Sequence, residues 1–270
     1  MNEIMNVSDK VYVAGVDIGS SYSKAVILSN KEMASYHVIT SEGNYGAVAD
    51  RVIMVALDEA NLSMDHLDYI AATGYGASKV SFSRQVFNDI TCQGKGISHL
   101  LPSTRTVVDI GGQFTRVFKV DDRGRVINFL SSDKCAAGSG RFLQTIARVL
   151  HIDLEEIGRI SLKSKKEINF NAGCAVFAES EAISRVAEGA AVEDILAGLH
   201  RSLAAKIESM IIRLGREDDL ALIGGGAKDI GLVRCIEEKM GLRASVPVEP
   251  QIAAALGAAL RAGEIVKGQS

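Results

Sequence analysis

Residues 11–28 read VYVAGVDIGSSYSKAVIL. Two runs dense in Val and Ile, Tyr12 to Asp17 and Ser23 to Leu28, flank a turn holding Gly19, Ser20 and Ser21, the pattern of two strands joined by a glycine-serine turn. The first strand closes on a carboxylate, Asp17, and a glycine follows two residues later. The same order returns in residues 105–130, RTVVDIGGQFTRVFKVDDRGRVINFL: a strand closing on Asp109, a turn at Gly111 and Gly112, a second strand, a short DDRG turn and a third strand. The two hairpins lie 92 residues apart, from Asp17 to Asp109, and indicate an internal duplication.

Residues 45–59 have helical periodicity, and LDYIAATGYG (67–76) reads as a strand ending in a glycine turn. Beyond the second hairpin the pattern is helical over 141–150 and 178–188, then over the long run EDILAGLHRSLAAKIESMIIRLG, stopped by Gly215. DLALIGGGAKD is a strand running into three glycines, and PQIAAALGAALRAGEIV is a closing helix of small residues. Linkers are short and there are only three prolines. The expected architecture is α/β with two lobes and a cleft between them, divided as residues 1–104 and 105–270.

Composition narrows the function classes. The 270 residues, 47% hydrophobic and 23% charged, can build one large or two medium cores. A net charge of −3 and a pI near 6.0 offer no basic field to a nucleic acid. The first residues lack a signal pattern, and no apolar run reaches the roughly 20 residues of a bilayer span, so a cytoplasmic protein without membrane attachment is expected. Cys92, Cys135, Cys174 and Cys235 are widely spaced, with no CxxC pair, which argues against a disulfide framework or a structural zinc site.

Three glycine turns carry chemistry together that none carries alone. Asp17-Ile-Gly19-Ser20 and Asp109-Ile-Gly111-Gly112 present backbone N–H groups suited to phosphate oxygens, with Ser21 and Gln113 beside them; Gly224-Gly225-Gly226 is a turn suited to a nucleoside. Asp17 and Asp109 are candidates to hold the waters of a phosphate-bound Mg²⁺. The set and its order resemble the phosphate-one, phosphate-two and adenosine motifs of the acetate and sugar kinase, Hsp70 and actin superfamily. The resemblance implies a two-lobed actin-like ATPase with duplicated ribonuclease H-like domains. That fold serves kinases, chaperones and filaments alike, so it does not choose the function.

The cysteines are more selective. Cys135 in DKCAAGSGRF and Cys174 in NAGCAVFAESEAISRV stand 39 residues apart, each ahead of a helical run. Free N–H groups and the positive end of a helix favour a thiolate and can donate to sulfide. Two thiolates are half of what a 4Fe–4S cluster takes, and a two-fold dimer would supply the rest.

These segments, with GVDIGSSYSK, ATGYG and VVDIGG, resemble the BadF/BadG/BcrA/BcrD-type ATPases, the activators of 2-hydroxyacyl-CoA dehydratases and the ATPase subunits of benzoyl-CoA reductase. The likeness runs from about Tyr12 to about Arg261. It implies ATP and Mg²⁺ as ligands, and one 4Fe–4S cluster per dimer held by Cys135 and Cys174 of two subunits. It also implies a ferredoxin or flavodoxin donor and a catalytic dehydratase or reductase that receives low-potential electrons. Three positions depart from that pattern: Phe114 where a second acid stands after GGQ, Gln93 where a histidine follows TC, and Ala77 where an arginine follows TGYG. A heterodimer with a paralogous subunit, as in the reductases, or a homodimeric activator would accommodate them.

Other candidates have plainer alternatives. Glu179 could orient water at the phosphate, or Glu179 and Glu181 could complement the dipole in a first helical turn. Lys24 could reach a phosphate or sit solvated at the hairpin edge. Cys92 and Cys235 read as buried thiols, and His200 as a solvated or satisfied helix residue. The rival functions are an amino-sugar type kinase, which needs a catalytic aspartate and gives the cysteines no role, and a nucleotide-switched assembly module of actin type.

Overall fold

The computed structural model describes residues 10–132, 139–166, 168–170 and 175–268. Cys135 and Cys174 lie outside the described residues. The chain divides into two compact units, Met1–Leu100 with Gln251–Ser270, and Leu101–Pro250.

The first unit holds β1 (Tyr12–Ile18), β2 (Tyr22–Ser29), β3 (Glu32–Thr40), α1 (Tyr45–Glu59), β4 (Tyr69–Thr73), β5 (Gln85–Val86) and α2 (Asp89–Leu100). Its sheet runs β3-β2-β1-β4-β5, with β1, β2 and β3 antiparallel and β4 and β5 parallel. Alternate residues of β1 and β2 go to opposite faces. Ala14, Val16, Ile18, Ala25 and Ile27 pack with Val52, Ile53 and Leu57 of α1, while Val13, Val26 and Leu28 belong to a second core. Burial on both faces explains why these strands are continuous Val/Ile runs and not a polar alternation.

The second unit repeats the plan with β6 (Thr106–Ile110), β7 (Thr115–Val120), β8 (Val126–Ser131), α3 (Gly140–Val149), α4 (Ile157–Ser161), α5 (Ala175–Ala187), α6 (Val192–Leu214), β9 (Leu220–Ile223) and α7 (Ile230–Met240). The sheet order β8-β7-β6-β9 matches β3-β2-β1-β4, antiparallel and parallel pairs included. Ser245 pairs in parallel beside Ala221, as β5 does beside β4.

The last helix, α8 (Ala253–Gly268), belongs to the first unit. Here the structure differs from a division at residue 104, which left 251–270 with the second half. The reason is close packing. A Cβ at Gly15 would collide with the Ala255 carbonyl, one at Gly96 with the Ala253 carbonyl, and one at Gly257 with the Cys92 carbonyl. Glycines on β1, α2 and α8 thus let backbones touch, and Ala254, Ala255, Ala258 and Ala259 fill the second core.

β3 and α2 are among the elements that have no counterpart in the sequence pattern. β3 is an edge strand whose first residues, Glu32 to Ala34, are exposed, so it lacks an apolar run. α2 carries Gly94 and Gly96, which lower helix propensity; Gly96 is the price of the α8 contact.

Candidate functional site

Asp17 and Asp109 occupy equivalent places, one residue before the ends of β1 and β6, and both are buried (6% and 7% exposed). After each strand the turn closes alike: the Gly19 N–H donates to the Tyr22 carbonyl at 3.2 Å, and the Gly111 N–H to the Phe114 carbonyl at 3.0 Å. Phe114, one of the departures from the family pattern, therefore serves the turn through its backbone.

Each aspartate is backed by a glycine from the parallel neighbour. Gly74, after β4, has φ +92° and Gly224, after β9, has φ +83°. A Cβ at Gly74 would collide with Asp17 Oδ1 and crowd the Ile18 carbonyl; one at Gly224 would meet Asp109 Oδ1 and the Ile110 carbonyl. Two residues on, Gly76 and Gly226 leave room for Ile18 Cγ2 and Ile110 Cγ2. Gly74 and Gly76 are thus the first unit's copy of Gly224 and Gly226. By sequence alone TGYG passes for an ordinary strand-ending turn. The signal that finds it is the shared Gly-x-Gly placement after a parallel strand, together with an identical succession of buried and exposed positions over 71–77 and 221–227.

Lys24 is neither solvated nor free. Register places it opposite Asp17, and Nζ lies 2.9 Å from Asp17 Oδ2, with both side chains largely buried. Ser21 anchors the far end of the turn by accepting from the Ser41 N–H at 2.9 Å.

The Gly111–Gly112 turn has a second set of partners. The Gly140 N–H donates to the Gly111 carbonyl at 2.8 Å, and the Arg141 N–H to the Gly112 carbonyl at 3.0 Å. The next N–H groups, on Phe142 and Leu143, turn back to the Ser139 carbonyl. The first N–H groups of α3 are thus taken up by the Gly111–Gly112 turn and the Ser139 carbonyl.

α5 begins at Ala175, which puts Glu179 and Glu181 beyond its first turn; the dipole-complementing pair is not formed. Glu179 is exposed, whereas Glu181 ion-pairs with Arg185 at 3.5 Å. Phe177 stands 73% exposed three residues after Cys174. Residues 164–166, after α4, are pinned by Asp194 of α6. Its Oδ1 accepts from Ser164 Oγ (2.8 Å) and from the Lys165 and Lys166 N–H groups (2.9 and 3.0 Å). These bonds, that from Lys166 foremost, hold the carboxyl below the usual range.

His200 is fully buried and not solvated. Cys92 is buried, and burial pushes its thiol up; the same holds for half-buried Cys235, packed against the second unit's core. Ala77 is a core residue of the first unit. Among the described residues no group of three or more His, Cys, Asp or Glu could hold a metal ion, and no helix is long and apolar enough to cross a membrane.

The chain is 39% identical over 259 residues, covering 95% of it and 97% of the relative, to the 2-hydroxyisocaproyl-CoA dehydratase activator of Clostridioides difficile. It is 33% identical over 258 residues to one of the subunits of benzoyl-CoA reductase from Thauera aromatica, covering 92% and 91%. The solved structure of the Clostridium difficile activator with bound ADPNP superposes with a TM-score of 0.91 at 38% identity, covering 96% and 97% of the two chains. A ROK hexokinase from Thermus thermophilus, 15% identical with a TM-score of 0.53 over 95% and 100% of the chains, shares the fold alone. The class is therefore an ATPase of the actin-like fold that ROK sugar kinases also use. Residues 14–262 match one family model, and the chain belongs to the BadF/BadG/BcrA/BcrD ATPase family.

Proposed function

We propose that this ATPase activates a CoA-thioester dehydratase or reductase by delivering low-potential electrons to it, using ATP. The relatives' names support the activator role. The observation that carries the coupling is the pair of hydrogen bonds from α3 to the Gly111 and Gly112 carbonyls, because α3 is the helix that follows Cys135.

In this reading the turn at Gly19, Ser20 and Ser21, with Lys24, and the turn at Gly111, Gly112 and Gln113 take phosphate oxygens. Gly224, Gly225 and Gly226 take the nucleoside. Asp17 and Asp109 orient Mg²⁺-bound water. The donor set fits a Mg²⁺ that arrives on the nucleotide: Asp17 Oδ2 is already paired with Lys24, and no carboxylate cage exists among the described residues. Glu179, outside the Arg185 ion pairs, is assigned to the attacking water. The Lys24 ammonium holds the Asp17 side chain in place, so the carboxylate is oriented before ligand arrives.

Cys135 and Cys174, with their equivalents in a second copy or a paralogous subunit, would hold one 4Fe–4S cluster, which supplies one-electron chemistry. The donor would be a ferredoxin or flavodoxin. Phe177, three residues after Cys174 in the sequence, is exposed and open to a partner subunit. A nucleotide-driven shift of the Gly111–Gly112 turn would move the start of α3 and with it the segment carrying Cys135.

Anaerobic purification tests this. The expected product is brown, with about four iron per dimer, bleached by air. Cys135→Ser and Cys174→Ser lose the iron yet still bind ADPNP. A colourless protein after anaerobic reconstitution overturns the cluster assignment.

A further inference from the structure

His200 of α6 is 0% exposed and lies on none of the three glycine turns. Its ring is held at both nitrogens: Nε2 is 2.9 Å from Asp229 Oδ2, and Nδ1 is 3.0 Å from Ser161 Oγ. The Ser161 hydroxyl also lies 2.8 Å from the Gly158 carbonyl, the partner to which it donates. The Nε2–Oδ2 approach is a close polar contact and not an aligned hydrogen bond. The set joins α4, α6 and the start of α7. Serine, histidine and carboxylate in contact invite comparison with a hydrolytic triad, but with Ser161 only 5% exposed no substrate reaches the hydroxyl.

Two glycines make room for the cluster. A Cβ at Gly231 would collide with Ser161 Oγ and lie 2.8 Å from His200 Nδ1; one at Gly158 would lie 2.6 Å from Asp229 Oδ1. Asp229 is hydrogen-bonded through Oδ1 and its backbone, while Oδ2 faces His200. Its Oδ1 caps α7 by accepting from the Gly231 and Leu232 N–H groups, both at 3.0 Å, and its own N–H donates to the Gly226 carbonyl at 3.2 Å. The residue that faces His200 is thus the residue that closes the Gly224–Gly226 turn. The entry of that turn is fixed separately, by the Gly224 N–H to the Pro250 carbonyl at 2.8 Å.

We infer that His200 is a positioning residue for nucleotide binding: through Asp229 it fixes the exit of the Gly224–Gly226 turn. The inference rests on the assignment of that turn to the nucleoside. Removing one partner of a buried polar contact leaves the other to find new hydrogen bonds, and Asp229 can find them only by leaving the cap or the turn. The turn would then lose its set position without any contact to ligand having been deleted.

The test uses the purified full chain with His200→Gln, His200→Leu and Asp229→Asn. ADPNP and ADP binding are followed by calorimetry and ATP hydrolysis by steady-state kinetics. A displaced nucleoside turn raises the Kd of both nucleotides by the same factor, about tenfold, because neither gains nor loses a phosphate contact. KM for ATP rises with it while kcat stays within about twofold. His200→Gln, which keeps a donor, shows the smaller shift. Folded variants with wild-type Kd for both nucleotides and only a lower melting temperature overturn the inference, as does a fall in kcat at unchanged Kd. Where His200→Leu does not fold, His200→Gln and Asp229→Asn decide the matter. Failure of the nucleotide assignment itself shows earlier, as wild-type protein that binds neither ADPNP nor ADP.

Discussion

Asp17 and Lys24 face each other across β1 and β2 with 9% and 13% of their side chains exposed, so each solvates the other in place of water. Asp17→Asn removes the charge that holds the ammonium. We expect a stability loss of about 1–3 kcal/mol in denaturant unfolding. ATP hydrolysis should fall by about a hundredfold. Hydrolysis at the wild-type rate would show that Asp17 is only a structural counter-ion. Asp194 gives a pH signature. Its carboxyl is held low by the bonds from Lys166, Ser164 and Lys165, so its contribution to stability is full above the ordinary carboxylate value of about 4 and is lost as pH falls through the lower folded value. Asp194→Asn should flatten that acid limb of the melting temperature. A constant offset between the two curves from neutral to acid pH would rule the assignment out.

At the scale of elements, α8 shows what a sequence conveys and what it conceals. Its small residues were legible as a signal for close packing, and so was its helical span. Which sheet it packs on was not, because Gly15, Gly96 and Gly257 meet their partners only in three dimensions. The hairpins with Asp17 and Asp109 were readable because local turn chemistry and Val/Ile density agree there. β3 was not, since an edge strand with Glu32 and Met33 exposed carries little periodic signal. Likewise Gly74 hides in a common TGYG turn until its φ of +92° and its contact with Asp17 are seen. The contacts of α8 make a sharp prediction. Gly257→Ala forces a methyl into the Cys92 carbonyl, and the resulting separation of α2 from α8 should cost about 1–3 kcal/mol. An unchanged unfolding midpoint would mean that the two helices part without penalty.

For the molecule as a whole, covalent geometry governs what the link between the Gly111–Gly112 turn and the start of α3 can transmit. A trans peptide is a rigid plate with its C=O and N–H pointing in opposite directions, and no cis bond occurs among the described residues. The plate between Gly111 and Gly112 directs its oxygen at the Gly140 amide, and the plate between Gly112 and Gln113 directs its oxygen at Arg141. The N–H groups of Gly112 and Gln113 therefore face away from α3, and the dipoles of both plates add to that of the helix. An anion held by those two N–H groups acts on a helix lengthened by two borrowed peptides. Its departure lets the plates tilt without breaking any covalent constraint. ADPNP should accordingly slow hydrogen exchange at the Gly140 and Arg141 amides; equal exchange with and without it would disconnect the two. Seen this way, α3 has no free end of its own, and its polarity continues through the turn to whatever charge is bound there.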